Sequence, residues 1–145
     1  MIEMKFNINN EKGFSLIEIL IAVTVFAIGI LAVGKMQITA IKGNSFASVL
    51  SDATTLAQDR MEELMGLSYA DPLLDDANGN SHAGIDSSNA TAADHNAVDD
   101  GYNIFWNIAP DHYISETKEI RVIITWTDKG VERKVSITSM KADII

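Results

Sequence analysis

Residues 12–34 read KGFSLIEILIAVTVFAIGILAVG. From Phe14 to Gly34 this is an apolar run of 21 residues. As a helix it is about 31 Å long, close to the hydrocarbon thickness of a bilayer. Apart from Glu18 its only polar residues are Ser15 and Thr24, and both side chains can bond their own helix backbone. A secretory signal core is shorter, about 7–15 residues, and ends at a small-residue cleavage site. Here the core is longer, and Gly13 is the last small residue ahead of Phe14. The natural cut therefore precedes the apolar segment and leaves it in the mature chain. A carboxylate inside such a segment is costly and reads as functional by default. Glu18 is the only ionisable group in the run.

The helical pattern continues past Gly34. Ile38, Ile41, Phe46, Val49, Ala53, Leu56, Met61 and Leu64 recur at spacings of three to five and define an amphipathic face. Gly66 offers a stop, and Pro72 prevents much continuation. A helix from Phe14 to about Met65 is roughly 78 Å long, more than an isolated domain of this size needs. It suits a filament whose subunits bundle their helices. Gly29, Gly34 and Gly43 each weaken the helix by up to about 1 kcal/mol relative to Ala, and they also permit close helix packing.

The C-terminal third alternates with period two. Tyr102, Ile104, Trp106 and Ile108 share one face, with Asn103, Phe105 and Asn107 opposite. Ile120, Val122, Ile124 and Trp126 form a second inward set, and Val135 and Ile137 a third. Asp128-Lys129-Gly130 predicts a three-residue hairpin. The expectation is a three-stranded antiparallel meander over 102–140, its apolar face covered by the amphipathic helix 35–66. Between helix and meander, residues 71–100 lack periodicity and read as a long irregular loop.

The net charge of −9 is concentrated in that loop, which holds seven aspartates and no base. Nucleic-acid binding needs basic clusters, so direct contact with nucleic acid is argued against, and a solvated acidic loop is the plain reading. Asp76, Asn78 and Asn80 begin like a calcium loop, but position six is Ser81 and position twelve is Ser87, where Gly and Glu are required. An irregular calcium site through Asp71, Asp75 or Asp86 stays an open alternative. His82, His95 and His112 have no zinc-like spacing and read as surface imidazoles. No nucleophile has an oriented base, so neither an enzyme, a cofactor nor a metal is expected. The chain has no cysteine, so no disulfide reinforces the small head.

Gly13-Phe14-Ser15-Leu16-Ile17-Glu18 resembles the class III signal of type IV prepilins and type II secretion pseudopilins. In that family a membrane aspartyl peptidase cuts after the glycine, and the same enzyme methylates the new amine. The resemblance implies that Gly13 ends the leader, that Phe14 is the N-methylated first mature residue, and that Glu18 is the assembly glutamate. Leader residues 1–13 depart a little from the pattern, since Glu3 and Glu11 balance Lys5 and Lys12. Residues 27–37 and 57–64 are similar to PilV-like minor pilins, and minor pseudopilins of the I class share a similar second segment.

The implied fold is α+β: a long N-terminal helix, half membrane and half amphipathic, on a small antiparallel sheet. The implied organisation is a leader at 1–13, a membrane and filament-core segment at 14–34 and a head at 35–145. The implied function is a minor pilin of a type IV pilus, with a type II secretion pseudopilin or a membrane-anchored binding domain as alternatives. Its implied partners are other pilin subunits, the prepilin peptidase, the inner-membrane assembly platform and membrane lipid. The implied location is a single pass in the inner membrane with a periplasmic head, then the extracellular pilus. Many pilins close a C-terminal loop with a disulfide, which this chain cannot do.

Overall fold

The computed structural model describes residues 13–143. Leader residues 1–12, including Lys5, Lys12, Glu3 and Glu11, lie outside them. The chain forms helix α1 (Leu16–Gly66), then strands β1 (His95–Asp99), β2 (Tyr102–Pro110), β3 (Thr117–Asp128) and β4 (Val131–Ala142). It divides into two units, Met1–Asn44 and Ser45–Ile145.

In the first unit the helix runs through Gly29, Gly34 and Gly43 without interruption. Its apolar side chains are uncovered: Leu16, Ile17, Phe26 and Leu31 are each more than half exposed. Thr24 Oγ1 donates to the Leu20 carbonyl at 2.7 Å, so this hydroxyl is satisfied within the helix, as the sequence allows.

In the second unit the rest of α1 covers one face of an antiparallel sheet of order β1-β2-β3-β4. Ala53, Ala57, Met61 and Leu64 meet Ile104, Trp106 and Ile108 of β2 and Ile120, Val122, Ile124 and Trp126 of β3. Val135 and Ile137 pack at the margin. These are the strand faces that the alternation predicts. Packing begins later on the helix than its periodicity implies. Ile38 and Ile41 are exposed, and Val49 is the first residue of the expected set that packs on the core. Periodicity reports an apolar stripe and not where along it the partner starts. At the far end, Lys141 Nζ donates to the Met65 carbonyl at 2.6 Å, pairing one of the carbonyls a helix terminus leaves open.

Three expectations need correction. The sheet has four strands, because His95–Asp99 pairs with β2. Asp99 and Tyr102 flank a two-residue turn in which Asp100 and Gly101 both have positive φ, 41° and 84°. An Asp-Gly pair in this conformation is a strong hairpin signal, and its mirror-image turn matches strand twist. The second hairpin is likewise two residues long and not three. Asp128 pairs with Val131 across Lys129 and Gly130, with φ of 52° and 79°. Nor is 71–100 irregular throughout. Besides β1 it contains 3₁₀ turns at Pro72–Leu74 and Ser81–Gly84. Asp71 caps the first through Leu73 N at 2.9 Å.

This segment also has a packing role that composition does not reveal. It covers the sheet's second face, where Ala93 joins Phe105 and Ile123 in a small separate cluster.

Candidate functional site

Gly13 and Phe14 precede the first helical turn, and both are exposed. Ser15 caps α1: its Oγ accepts from Ile17 N at 3.3 Å, and its carbonyl accepts from Glu18 N at 3.0 Å. Ser15 and Glu18 therefore stand at the N-cap and third helical positions, the Ser-x-x-Glu spacing that favours helix initiation. A carboxylate in the first turn also meets the positive end of the helix dipole. The helix thus starts where the apolar run starts, with Glu18 one turn inside it. Among the described residues, α1 is the one helix long and apolar enough to cross a membrane.

The acidic segment spends its polar groups on bracing the sheet. Asn107, buried on β2, donates through Nδ2 to the carbonyls of Ile85 at 3.1 Å and Ser87 at 2.9 Å. Its Oδ1 accepts from Asp94 N at 3.0 Å. Asp94 returns the contact, with Oδ2 accepting from Ile108 N at 2.7 Å. Asp76 Oδ2 accepts from both the backbone N and the hydroxyl of Ser81, at 2.9 and 2.8 Å. The acids that the sequence leaves open for calcium have dispersed partners: Asp71 caps a turn, Asp75 faces Lys118 at 3.6 Å and Asp86 pairs with Arg121. His95 stacks on Trp106 with ring centroids 5.2 Å apart.

Burial pushes the Asp94 carboxyl above the usual aspartate range, and nearby Asp76 adds to this, while the backbone donors Ile108 and Asn78 and the side chain of His95 oppose it. A raised folded-state value means that the folded chain holds this proton more tightly than the unfolded chain. The stabilisation is complete below the unfolded value of about 4 and is lost as pH rises through the raised folded value. The stability advantage of the wild type over Asp94→Asn should therefore be largest near pH 4 and shrink toward neutrality. Urea unfolding of both proteins across that range checks it. An advantage that grows with pH would mean that burial is not the dominant influence on this carboxyl.

The histidines depart most from their sequence reading. His82 lies in the Ser81–Gly84 turn, His112 follows β2, and Glu119 is near the start of β3. The two imidazoles stack nearly parallel, centroids 3.6 Å apart and planes 5° apart. Their Nδ1 atoms lie 3.2 and 3.7 Å from the same atom, Glu119 Oε2. Glu119 Oε1 faces Arg121 Nη2 at 3.4 Å. Residues 82 and 112 are brought together by the loop crossing the second sheet face, a relation that linear spacing does not encode.

The family model described as the prokaryotic N-terminal methylation motif matches residues 8–34. No curated protein and no solved structure matches the chain. With this motif heading a long helix packed on an antiparallel sheet, the chain has the N-terminal signature and the α+β layout of a type IV pilin-like protein. The motif supports a pilin or pseudopilin, a kind of protein that is in general structural. It implies association with other pilins and with the assembly machinery, and together with the apolar helix it suggests membrane anchoring.

Proposed function

We propose that the chain is a minor pilin subunit of a type IV pilus, of the PilV-like kind. It is made as a precursor, cut between Gly13 and Phe14, N-methylated at Phe14 and incorporated into the filament or into the complex that primes it. The observation that carries this reading is the methylation motif at 8–34, which takes in the start of an uncovered apolar helix and its one internal carboxylate, Glu18. Residues 14–34 form the membrane and filament-core segment, and the head beyond them faces the periplasm before assembly. In the bilayer, lipid covers the apolar side chains. In the filament, the helices of neighbouring subunits do. The prepilin peptidase and the inner-membrane assembly platform act on the chain in that order.

Cleavage after Gly13 requires a small residue at that position. Gly13→Leu should leave the full-length precursor in the membrane fraction, with little or no mature chain. Intact-mass measurement reads both outcomes: the wild type recovered from sheared filaments starts at Phe14 and carries one extra methyl, while Gly13→Leu retains the leader. A mature wild-type chain starting at any other residue overturns the proposal.

A further inference from the structure

We propose that His82, His112 and Glu119 form a binding site for a divalent transition-metal ion of the zinc type, which clamps the head. Among the described residues these three form the one group of His, Cys, Asp or Glu side chains whose ligand atoms all lie within 4.8 Å of one another. They come from three segments: a turn in the loop covering the second sheet face, the connection between β2 and β3, and β3 itself.

Glu119 is the anchor. Its side chain is 4% exposed, whereas those of His82 and His112 are 40% and 32% exposed. A buried carboxylate requires compensation. Its Oε1 has Arg121, which is also engaged by Asp86 and by Thr138 Oγ1 at 2.9 Å. Its Oε2 has the two imidazoles. Arg121 thus fixes the carboxylate from behind, the role that outer hydrogen-bond partners play for metal-binding side chains.

The distances fit such an ion. Zinc lies about 2.0–2.1 Å from imidazole nitrogen and about 2.0–2.2 Å from carboxylate oxygen in tetrahedral sites. Neighbouring donors of that tetrahedron are therefore about 3.3–3.5 Å apart. The two Nδ1–Oε2 separations, 3.2 and 3.7 Å, bracket this edge. An ion lies close to the plane of each imidazole it meets, so binding turns the rings out of their parallel stack. The histidine χ2 torsion is broad, and both side chains are partly exposed. Tyr113 stands edge-on to both rings, 4.1 Å from His112 and 5.9 Å from His82, and forms one wall of the site. Three protein ligands leave the fourth position for water.

The ligand set also selects the class of ion. Two imidazoles with one carboxylate suit zinc and its neighbours, while calcium and magnesium call for six or more oxygens, or for octahedral oxygen and water. The ion ties the loop over 71–94 to β3 and to the β2–β3 connection. In a chain with no cysteine it is a cross-link between segments distant in sequence. It binds the folded head and not the unfolded chain, so it raises stability by mass action.

The test uses the full chain, purified in detergent micelles without a histidine tag and stripped with a chelator. Cobalt(II) is titrated first, followed by displacement with zinc. The expected result is one cobalt ion per chain with the intense visible absorption of a four-coordinate site, loss of that absorption on zinc addition, and a zinc-dependent rise in the unfolding temperature that calcium and magnesium do not produce. His82→Ala and His112→Ala should each weaken cobalt binding by more than about tenfold, with circular dichroism showing a folded head. His95→Ala, altered at the histidine outside the group, should bind as the wild type does. Glu119→Gln tests the anchor, but because Glu119 is buried the exposed histidine variants decide the matter. Absence of a four-coordinate cobalt spectrum, or wild-type affinity in both folded histidine variants, overturns the proposal and leaves His82 as a hydrogen-bond partner of Glu119 with His112 stacked on it. An equal thermal shift with calcium overturns it as well.

Discussion

A chain that begins at Leu67 should not fold, whereas one that begins at Ser45 should. The difference is the C-terminal part of α1, whose Ala53, Ala57 and Leu64 are fully buried and whose Met61 is nearly so. Without them Ile104, Trp106, Ile108, Ile120, Val122, Ile124 and Trp126 lose their cover together, and burying each such large side chain contributes about 1.5–3 kcal/mol. The guanidinium of Arg60, 3.9 Å from the Trp106 ring centroid, is lost too. A small domain has about 5–15 kcal/mol in total, so the loss exceeds what the sheet retains. The milder variant Leu64→Ala should cost about 2–5 kcal/mol, the range for a buried leucine. Urea unfolding followed by tryptophan fluorescence measures both. Cooperative unfolding of the Leu67 chain with the stability of the Ser45 chain would show that the helix is not the main cover of this face.

The helix and the inner sheet face are legible because both obey a single period. Alternation at Tyr102–Ile108 and Ile120–Trp126 identifies the residues that point to α1, and the spacing up to Leu64 identifies their partner. The second face is harder to read. From Ile104 to Ala109 every residue of β2 is buried, because loop residues cover one side and the helix the other. That cover consists of the buried Ile85 and Ala93 together with Asp94, which Asn107 and Ile108 of β2 hold by hydrogen bonds, and these loop residues follow no period. Strand β1 escapes notice for a related reason. At the edge of the sheet its less exposed positions are His95 and Ala97 while the apolar Val98 is exposed, so its hydropathy does not follow its burial, and only the Asp100-Gly101 turn announces it.

The candidate site divides along the same line. Gly13, Phe14 and Glu18 form a local motif whose meaning rests on neighbours in sequence, so a linear reading finds them. His82, His112 and Glu119 meet only because a loop folds back over the sheet. Their proximity is a property of the β2–β3 pairing and of the path of residues 71–94. The sequence offers nothing at those positions beyond the presence of two imidazoles and a carboxylate, each ordinary by itself.

Glu18→Gln and Glu18→Ala should both reach the membrane at wild-type levels and both fail to enter the filament. The carboxylate is the only ionisable group between Phe14 and Gly34, so removing its charge makes the segment more apolar and favours insertion. Glu18 also lies outside the unit that contains the sheet and its core, so unfolding of the head should be unchanged. Under the proposed processing, the partner of the carboxylate is the amine that cleavage would create at Phe14 of a neighbouring subunit. Deleting one member of a buried ion pair leaves the other charged and desolvated, at a cost of about 3–5 kcal/mol. Since about 1.4 kcal/mol is a factor of ten, incorporation should fall by more than about a hundredfold. Glutamine keeps the shape and the hydrogen-bonding oxygen of glutamate, so it separates charge from packing. If charge sets the register of assembly, the two variants behave alike. If packing or first-turn capping by Glu18 is what counts, glutamine retains function and alanine loses it. The measurement is the amount of each variant in sheared filaments relative to its membrane pool. Wild-type recovery of both variants would make Glu18 a passenger in the helix, and recovery of the glutamine variant alone would transfer its role from charge to helix initiation.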